Sequence, residues 1–204
     1  MALKKKSIFL LAAVSLLIVL SLYVFNNRHT LMAVLFQTMG SRDAAIEQFT
    51  KAADADPENA YALYQLGLMY KDMEDMDKAE DLYLKLLSIF PEHPHANYDL
   101  GYIYREKKEY GNAAIQYTRA LKIDPDNVYV HYDLGFIYKE NGDYQEALSE
   151  YQKVLEIDPA HKYALWDIGI VYEKMGMKDK AEEQQKHYHK MTDCSFRRFW
   201  NCLD

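Results

Sequence analysis

Two patterns of apolar and polar positions divide the chain. From Ser7 to Phe25 the sequence reads SIFLLAAVSLLIVLSLYVF, a run without a single charge. A helix of that length reaches roughly 28 Å, about the hydrocarbon thickness of a bilayer. After residue 26 the apolar positions recur instead at helical spacing, as with Leu100 and Tyr104 at i and i+4, which predicts helices that each bury one face.

The uncharged run follows Lys4, Lys5 and Lys6, as a secretory signal would. Its exit, Tyr23-Val24-Phe25-Asn26, is too bulky for a signal-cleavage site, and no cysteine follows to accept a lipid. The expectation is an uncleaved anchor, residues 7–25, with residues 1–6 in the cytoplasm and the remainder on the extracytoplasmic, periplasmic side. Arg28 and Arg42 follow the run closely and weaken that bias, so a cytoplasm-facing chain is the alternative orientation.

The rest of the chain repeats. Gly67, Gly101, Gly135 and Gly169 recur at every thirty-fourth position, as do Pro57, Pro91, Pro125 and Pro159. Tyr70, Tyr104, Tyr138 and Tyr172 keep the period, and so do Ala45, Ala79, Ala113, Ala147 and Ala181. Such a period marks a solenoid, in which no single unit buries its apolar faces alone and stacking supplies the core. The glycine predicts close approach of two backbones, and the Asp-Pro pair ends the second helix, because a residue before proline is pushed out of the α region.

Within each unit the string x-x-L-G-x-x-Y, then A-x-x-x-Y, then D-P resembles the tetratricopeptide repeat (TPR), a helix–turn–helix unit of about 34 residues. The resemblance implies an all-α, right-handed α-solenoid of about five repeats preceded by one transmembrane helix. The units fall at 26–59 (degenerate, with Ala33 in the glycine position), 60–93, 94–127, 128–161 and 162–195, followed by a C-terminal segment, 196–204. The last unit carries Gln185 and Asp193 where an aromatic residue and proline are expected. The family's tryptophan position holds Leu63, Asn97, His131 and Leu165.

Composition narrows the function. The chain of 204 residues has 31 acids and 24 bases, a formal charge of −7; setting aside the three N-terminal lysines leaves 21 bases against 31 acids. That balance repels phosphate backbones, so no nucleic-acid partner is expected. Phosphate loops, nucleophile elbows and zinc-protease motifs are absent, and each of the eight glycines has a place in the repeat. His93 and His95, or His187 and His189, lack a third ligand. Neither catalysis, nor a metal, nor a cofactor is expected.

The resemblance implies where partners bind: the second, fifth, sixth and ninth positions of each first helix line an inner groove. These positions include Tyr61, Tyr64 and Gln65, then His95, Tyr98, Asp99 and Tyr102. The next two units supply Tyr129, Tyr132, Asp133 and Phe136, then Tyr163, Trp166 and Asp167. Stacked rings with an acid ladder of Asp99, Asp133 and Asp167 predict a protein or peptide partner carrying basic and apolar residues. Chaperone-binding TPRs hold a carboxylate with lysine, asparagine and arginine in these positions, and this chain does not have that set.

At the C-terminus, Phe196, Phe199, Trp200 and Leu203 share one helical stripe with Ser195 as N-cap, which predicts a short capping helix. Cys194 and Cys202 lie about 12 Å apart along an unbroken helix, so a disulfide would require the helix to break. The function expected is a membrane-anchored scaffold or adaptor at the cell envelope. The alternatives are an accessory subunit presenting clients to envelope assembly machinery, such as cytochrome or pilus biogenesis, or a thiol-redox or metal-handling protein.

Overall fold

The computed structural model describes residues 27–196 together with Ser21, Tyr23 and Val24, with side chains as far as Met191. The expected span 7–25 is otherwise outside the described residues, as are 197–204 and the side chains of Cys194 and Cys202. Among the described residues there are ten helices and no strand, and no helix is long and apolar enough to cross a membrane. The chain divides into two compact units, one ending at Pro91 and the other beginning at Glu92.

The first unit holds α1 (Arg28–Thr38), α2 (Arg42–Ala55), α3 (Ala60–Asp72) and α4 (Met76–Ile89). The second holds α5 (Pro94–Glu106), α6 (Tyr110–Ile123), α7 (Val128–Asn141), α8 (Tyr144–Ile157), α9 (Lys162–Lys174) and α10 (Lys178–Phe196). Each odd-numbered helix packs on the even-numbered helix that follows it. In the second unit Ala113, Tyr117 and Ala120 of α6 form a core with Val130, Leu134 and Ile137 of α7. Ala147, Tyr151 and Val154 of α8 do the same with Ala164, Ile168 and Val171 of α9.

Local chemistry sets the helix ends. Asn59 and Asn127 cap α3 and α7 by accepting the N–H of Ala62 at 3.0 Å and of Val130 at 3.2 Å. His93 and His161 occupy the same place in their own repeats and cap α5 and α9 through Nδ1, each at 3.1 Å. Before three of the prolines, Asp56, Asp124 and Asp158 lie outside the α region and close α2, α6 and α8. Between paired helices the chain turns through one left-handed residue: Gly40, Gly142 and Gly176, but also Glu74 and Lys108, both at φ +60°.

Two expectations are revised. The recurring glycine admits an aromatic ring rather than a second backbone: a Cβ on Gly67, Gly101 or Gly135 would come within 2.6 Å of the ring of Tyr83, Tyr117 or Tyr151. Position 33 fits the same logic, since buried Ala33 stands where glycine would be and buried Phe49 where tyrosine would be. At the other end, α10 runs without interruption through Ser195, so Ser195 caps no new helix.

Candidate partner-binding surface

In the second unit the candidate residues fall on α5, α7 and α9. Tyr129, Tyr132 and Phe136 are spaced i, i+3 and i+7 along one stripe of α7; Tyr163 and Trp166 occupy the same positions on α9. Tyr129 is 69% exposed, Tyr163 59% and Trp166 45%, while Tyr98, Tyr102, Tyr132 and Phe136 are half-buried. Tyr132 sits among the rings of His161 (5.2 Å between centroids), Tyr151 (5.7 Å) and Tyr163 (6.5 Å). Trp166 leans on Tyr188 of α10, and exposed His95 lies edge-on to His93. Exposed rings thus stand on α7 and α9 of the second unit, beside half-buried ones on α5 and α7.

The aspartates are placed differently from expectation. Asp99, Asp133 and Asp167 are all buried, Asp133 only 3% exposed. Arg105 of α5 forms an ion pair with Asp133 through Nη1, and the Tyr117 hydroxyl donates to the other carboxylate oxygen at 2.9 Å. In the next repeat Lys139 donates to Asp167 at 2.7 Å, and the Tyr132 hydroxyl donates to its second oxygen at 2.7 Å. Asp133 and Asp167 are therefore committed internally and offer no acid ladder to a ligand. A carboxylate on the buried side of a helix pair needs such partners, because an unpaired buried charge costs several kcal/mol, on the order of 3–5.

Burial pushes the Asp133 carboxyl above the usual range; Arg105 and the Tyr117 and Tyr98 hydroxyls pull the other way without reversing it. The Tyr132 phenol is raised by its own burial and then by Asp167. The cations also occupy ring faces. The Arg105 guanidinium lies 4.8 Å from the Tyr102 ring centre and 5.7 Å from that of Phe136, and the Lys139 ammonium lies 5.0 Å from Phe136. Two faces that would suit a ligand's cation are already covered by the chain's own.

Arg105 and Lys139, which neutralise two of the candidate residues, are not among the positions that the sequence singles out. Their signal was available: they stand one repeat apart, and each precedes its aspartate by the same interval. His131 stands in the family's tryptophan position. It is buried, with Nδ1 2.6 Å from Glu150 Oε2 and Nε2 2.8 Å from the Pro125 carbonyl, so a polar group replaces the indole with both its nitrogens engaged.

In the first unit Tyr61 is 47% exposed and meets Phe49 edge-on at 6.0 Å. Tyr64 is half-buried against Tyr83, and the Gln65 side chain accepts from Gln37 at 3.1 Å. These three extend the aromatic and polar pattern within that unit. The histidine pair His93 and His95 is accounted for by the cap, and no group of three or more metal-ligating side chains occurs among the described residues.

Family models for the tetratricopeptide repeat match residues 30–94 and 128–161, and a TPR repeat model matches 101–142. The chain is a tetratricopeptide-repeat protein. Its fold is similar to that of a crystal structure of MamA protein (TM-score 0.80, 24% identity, covering 89% of this chain and 99% of that one). It is likewise similar to MamA 41-end from Desulfovibrio magneticus RS-1 (TM-score 0.76, 19% identity, 82% and 95% covered). YrrB, described as a TPR protein with an unusual peptide-binding site, superposes with a TM-score of 0.75 at 23% identity, with 84% of this TPR chain and 91% of YrrB covered. No curated protein matches the chain. TPR arrays serve as scaffolds for protein–protein interaction, and that general role belongs to this TPR chain too.

Proposed function

We propose that this TPR protein is a non-enzymatic, membrane-anchored scaffold whose second unit binds a protein segment on the aromatic side of α5, α7 and α9. The observation that carries the reading is the exposure of Tyr129, Tyr163 and Trp166 beside half-buried Tyr132 and Phe136. Large aromatic side chains left in water within reach of one another favour binding over folding. The peptide-binding site in YrrB's description is consistent with the same use of the fold.

The partner is a segment with apolar anchors. Its basic preference rests on long-range steering alone, since 31 acids face 21 bases beyond the N-terminal lysines while Asp133 and Asp167 are already neutralised. Residues 7–25 hold the protein in the bilayer, with the repeats on the extracytoplasmic side. Purification of the full chain from detergent-solubilised membranes tests the surface. Tyr129→Ala combined with Tyr163→Ala is expected to lose the partners that the unaltered chain retains. Retention of the same partners by the double variant would reject this side of the protein as the binding surface.

A further inference from the structure

The middle of helix α1, Leu31 to Phe36, is an unbroken apolar run, and only one side of the helix is used by the fold. His29, Ala33 and Gln37 face the first unit: His29 pairs with Gln48 at 2.9 Å, Gln37 donates to Gln65, and Ala33 is buried. Turned roughly 100–200° away at about 100° per residue, Leu31, Met32, Leu35 and the capping Met39 form one stripe. All four are exposed, Leu31 by 47%, Leu35 by 48% and Met39 by 66%. The repeat register explains why this stripe is apolar. The positions of Leu31, Met32 and Leu35 correspond to Asp133, Leu134 and Ile137 on α7, and to Asp167, Ile168 and Val171 on α9, all buried in the second unit. An exposed apolar stripe on a helix whose other side is already packed calls for cover of its own.

Charge says what the cover is. Between the uncharged run and Asp43, the first acid of the chain, the only charged residues are Arg28 and Arg42. Arg28 stands exposed at the head of the stripe. The uncharged run 7–25 ends just before α1 starts, with Tyr23 and Val24 exposed at its end. Apolar side chains on a helix that carries no acid suit the headgroup boundary of an anionic bilayer, whereas the acidic remainder is repelled from it.

We infer that the Leu31–Met39 stripe of α1 docks on an anionic lipid surface, so that the first repeat lies against the membrane rather than hanging free of it. This rests on the anchor reading of residues 7–25, which brings α1 to the bilayer. Leu31, Leu35 and Met39 enter the acyl boundary. The stripe lies opposite the contacts to α2 and α3, so docking leaves the fold of the first unit unchanged.

The test uses the full chain with Cys194→Ser and Cys202→Ser, reconstituted in vesicles of phosphatidylcholine and phosphatidylglycerol. An environment-sensitive fluorophore is placed at Leu35→Cys, Leu16→Cys or, as a control, Thr118→Cys. Nitroxide-bearing lipids then act as shallow or deep quenchers. The Leu35 probe is expected to lose most of its emission to the shallow quencher, the Leu16 probe to the deep one, and the Thr118 probe to neither. Quenching at Leu16 without quenching at Leu35 overturns the docking and leaves the anchor standing. Quenching at Leu35 alone upholds the docking and removes the anchor. A blue-shifted but unquenched Leu35 probe, or no quenching at either position, overturns the docking; the blue shift would mean that protein covers the stripe.

Discussion

Arg105 of α5 and Asp133 of α7 form a mostly buried ion pair, completed by the Tyr117 hydroxyl; Lys139 and Asp167 repeat the ion pair one repeat later, with the Tyr132 hydroxyl in place of the second-helix tyrosine. These pairs tie neighbouring repeats of the second unit together through groups that cannot be left alone. Arg105→Met strands a buried carboxylate and is expected to cost about 3–5 kcal/mol, whereas Arg105→Met with Asp133→Leu should recover most of the loss. Denaturant unfolding of the two single variants and the double gives the coupling. Additive losses would show that the pair does not act as a unit. Asp133→Lys, which a surface aspartate would tolerate, should unfold the region.

The glycine–tyrosine contact gives a paired prediction. Gly101→Ala sets a Cβ 2.6 Å from the buried Tyr117 ring and should cost about 1–3 kcal/mol by overpacking. Gly169 has the same place in its repeat, but its nearest neighbours, Gln184 and Gln185, are 3.9 Å away. Gly169→Ala should therefore be neutral or stabilise by up to about 1 kcal/mol through helix propensity. Thermal unfolding of both variants separates the cases. Equal destabilisation would mean that the ring is not what requires the glycine.

Much of this was legible in the sequence because the repeat is a packing constraint that recurs. Gly67, Gly101 and Gly135 meet Tyr83, Tyr117 and Tyr151 at one constant offset, and that offset sets the register of each helix pair. Periodicity places a residue on a side of its own helix, however, and says nothing about what the neighbouring helix sends there. For that reason spacing alone puts Asp133 and Asp167 on the ligand side and does not reveal Arg105 and Lys139, which neutralise them. The left-handed turn residue was legible where it is glycine, at Gly40, Gly142 and Gly176. It was hidden where Glu74 and Lys108 take the same conformation at a steric cost.

Those two turns carry strain that glycine would relieve. Glu74→Gly and Lys108→Gly should each raise stability by up to about 1 kcal/mol, the left-handed penalty less the added freedom of the unfolded chain. Denaturant midpoints check this, and a loss in both variants would show that the side chains contribute more than the backbone conformation costs.

The histidine cap of α5 predicts a pH dependence. His93 accepts the Ala96 N–H, and burial followed by the neighbouring His95 holds its imidazole below the ordinary value of 6.5. The folded state thus binds the proton less readily than the unfolded chain. The cap's contribution, about 1 kcal/mol, is present above the unfolded pKa and is lost as pH falls through the folded one. His93→Asn, the residue that caps α3 and α7, should flatten the fall in melting temperature between about pH 7 and pH 5. An unchanged slope would count against the cap as its source.

The central claim, that partners bind on the aromatic side of α5, α7 and α9, is tested most directly by site-specific photocrosslinking in intact cells. A benzophenone side chain replaces Tyr129 or Tyr163 on that side, and Thr118 of α6 or Gln152 of α8 as exposed comparison positions. The account predicts a discrete adduct with another protein from Tyr129 and Tyr163, and none from Thr118 or Gln152. Adducts confined to Thr118 and Gln152 would contradict it and move the binding surface to the second helices.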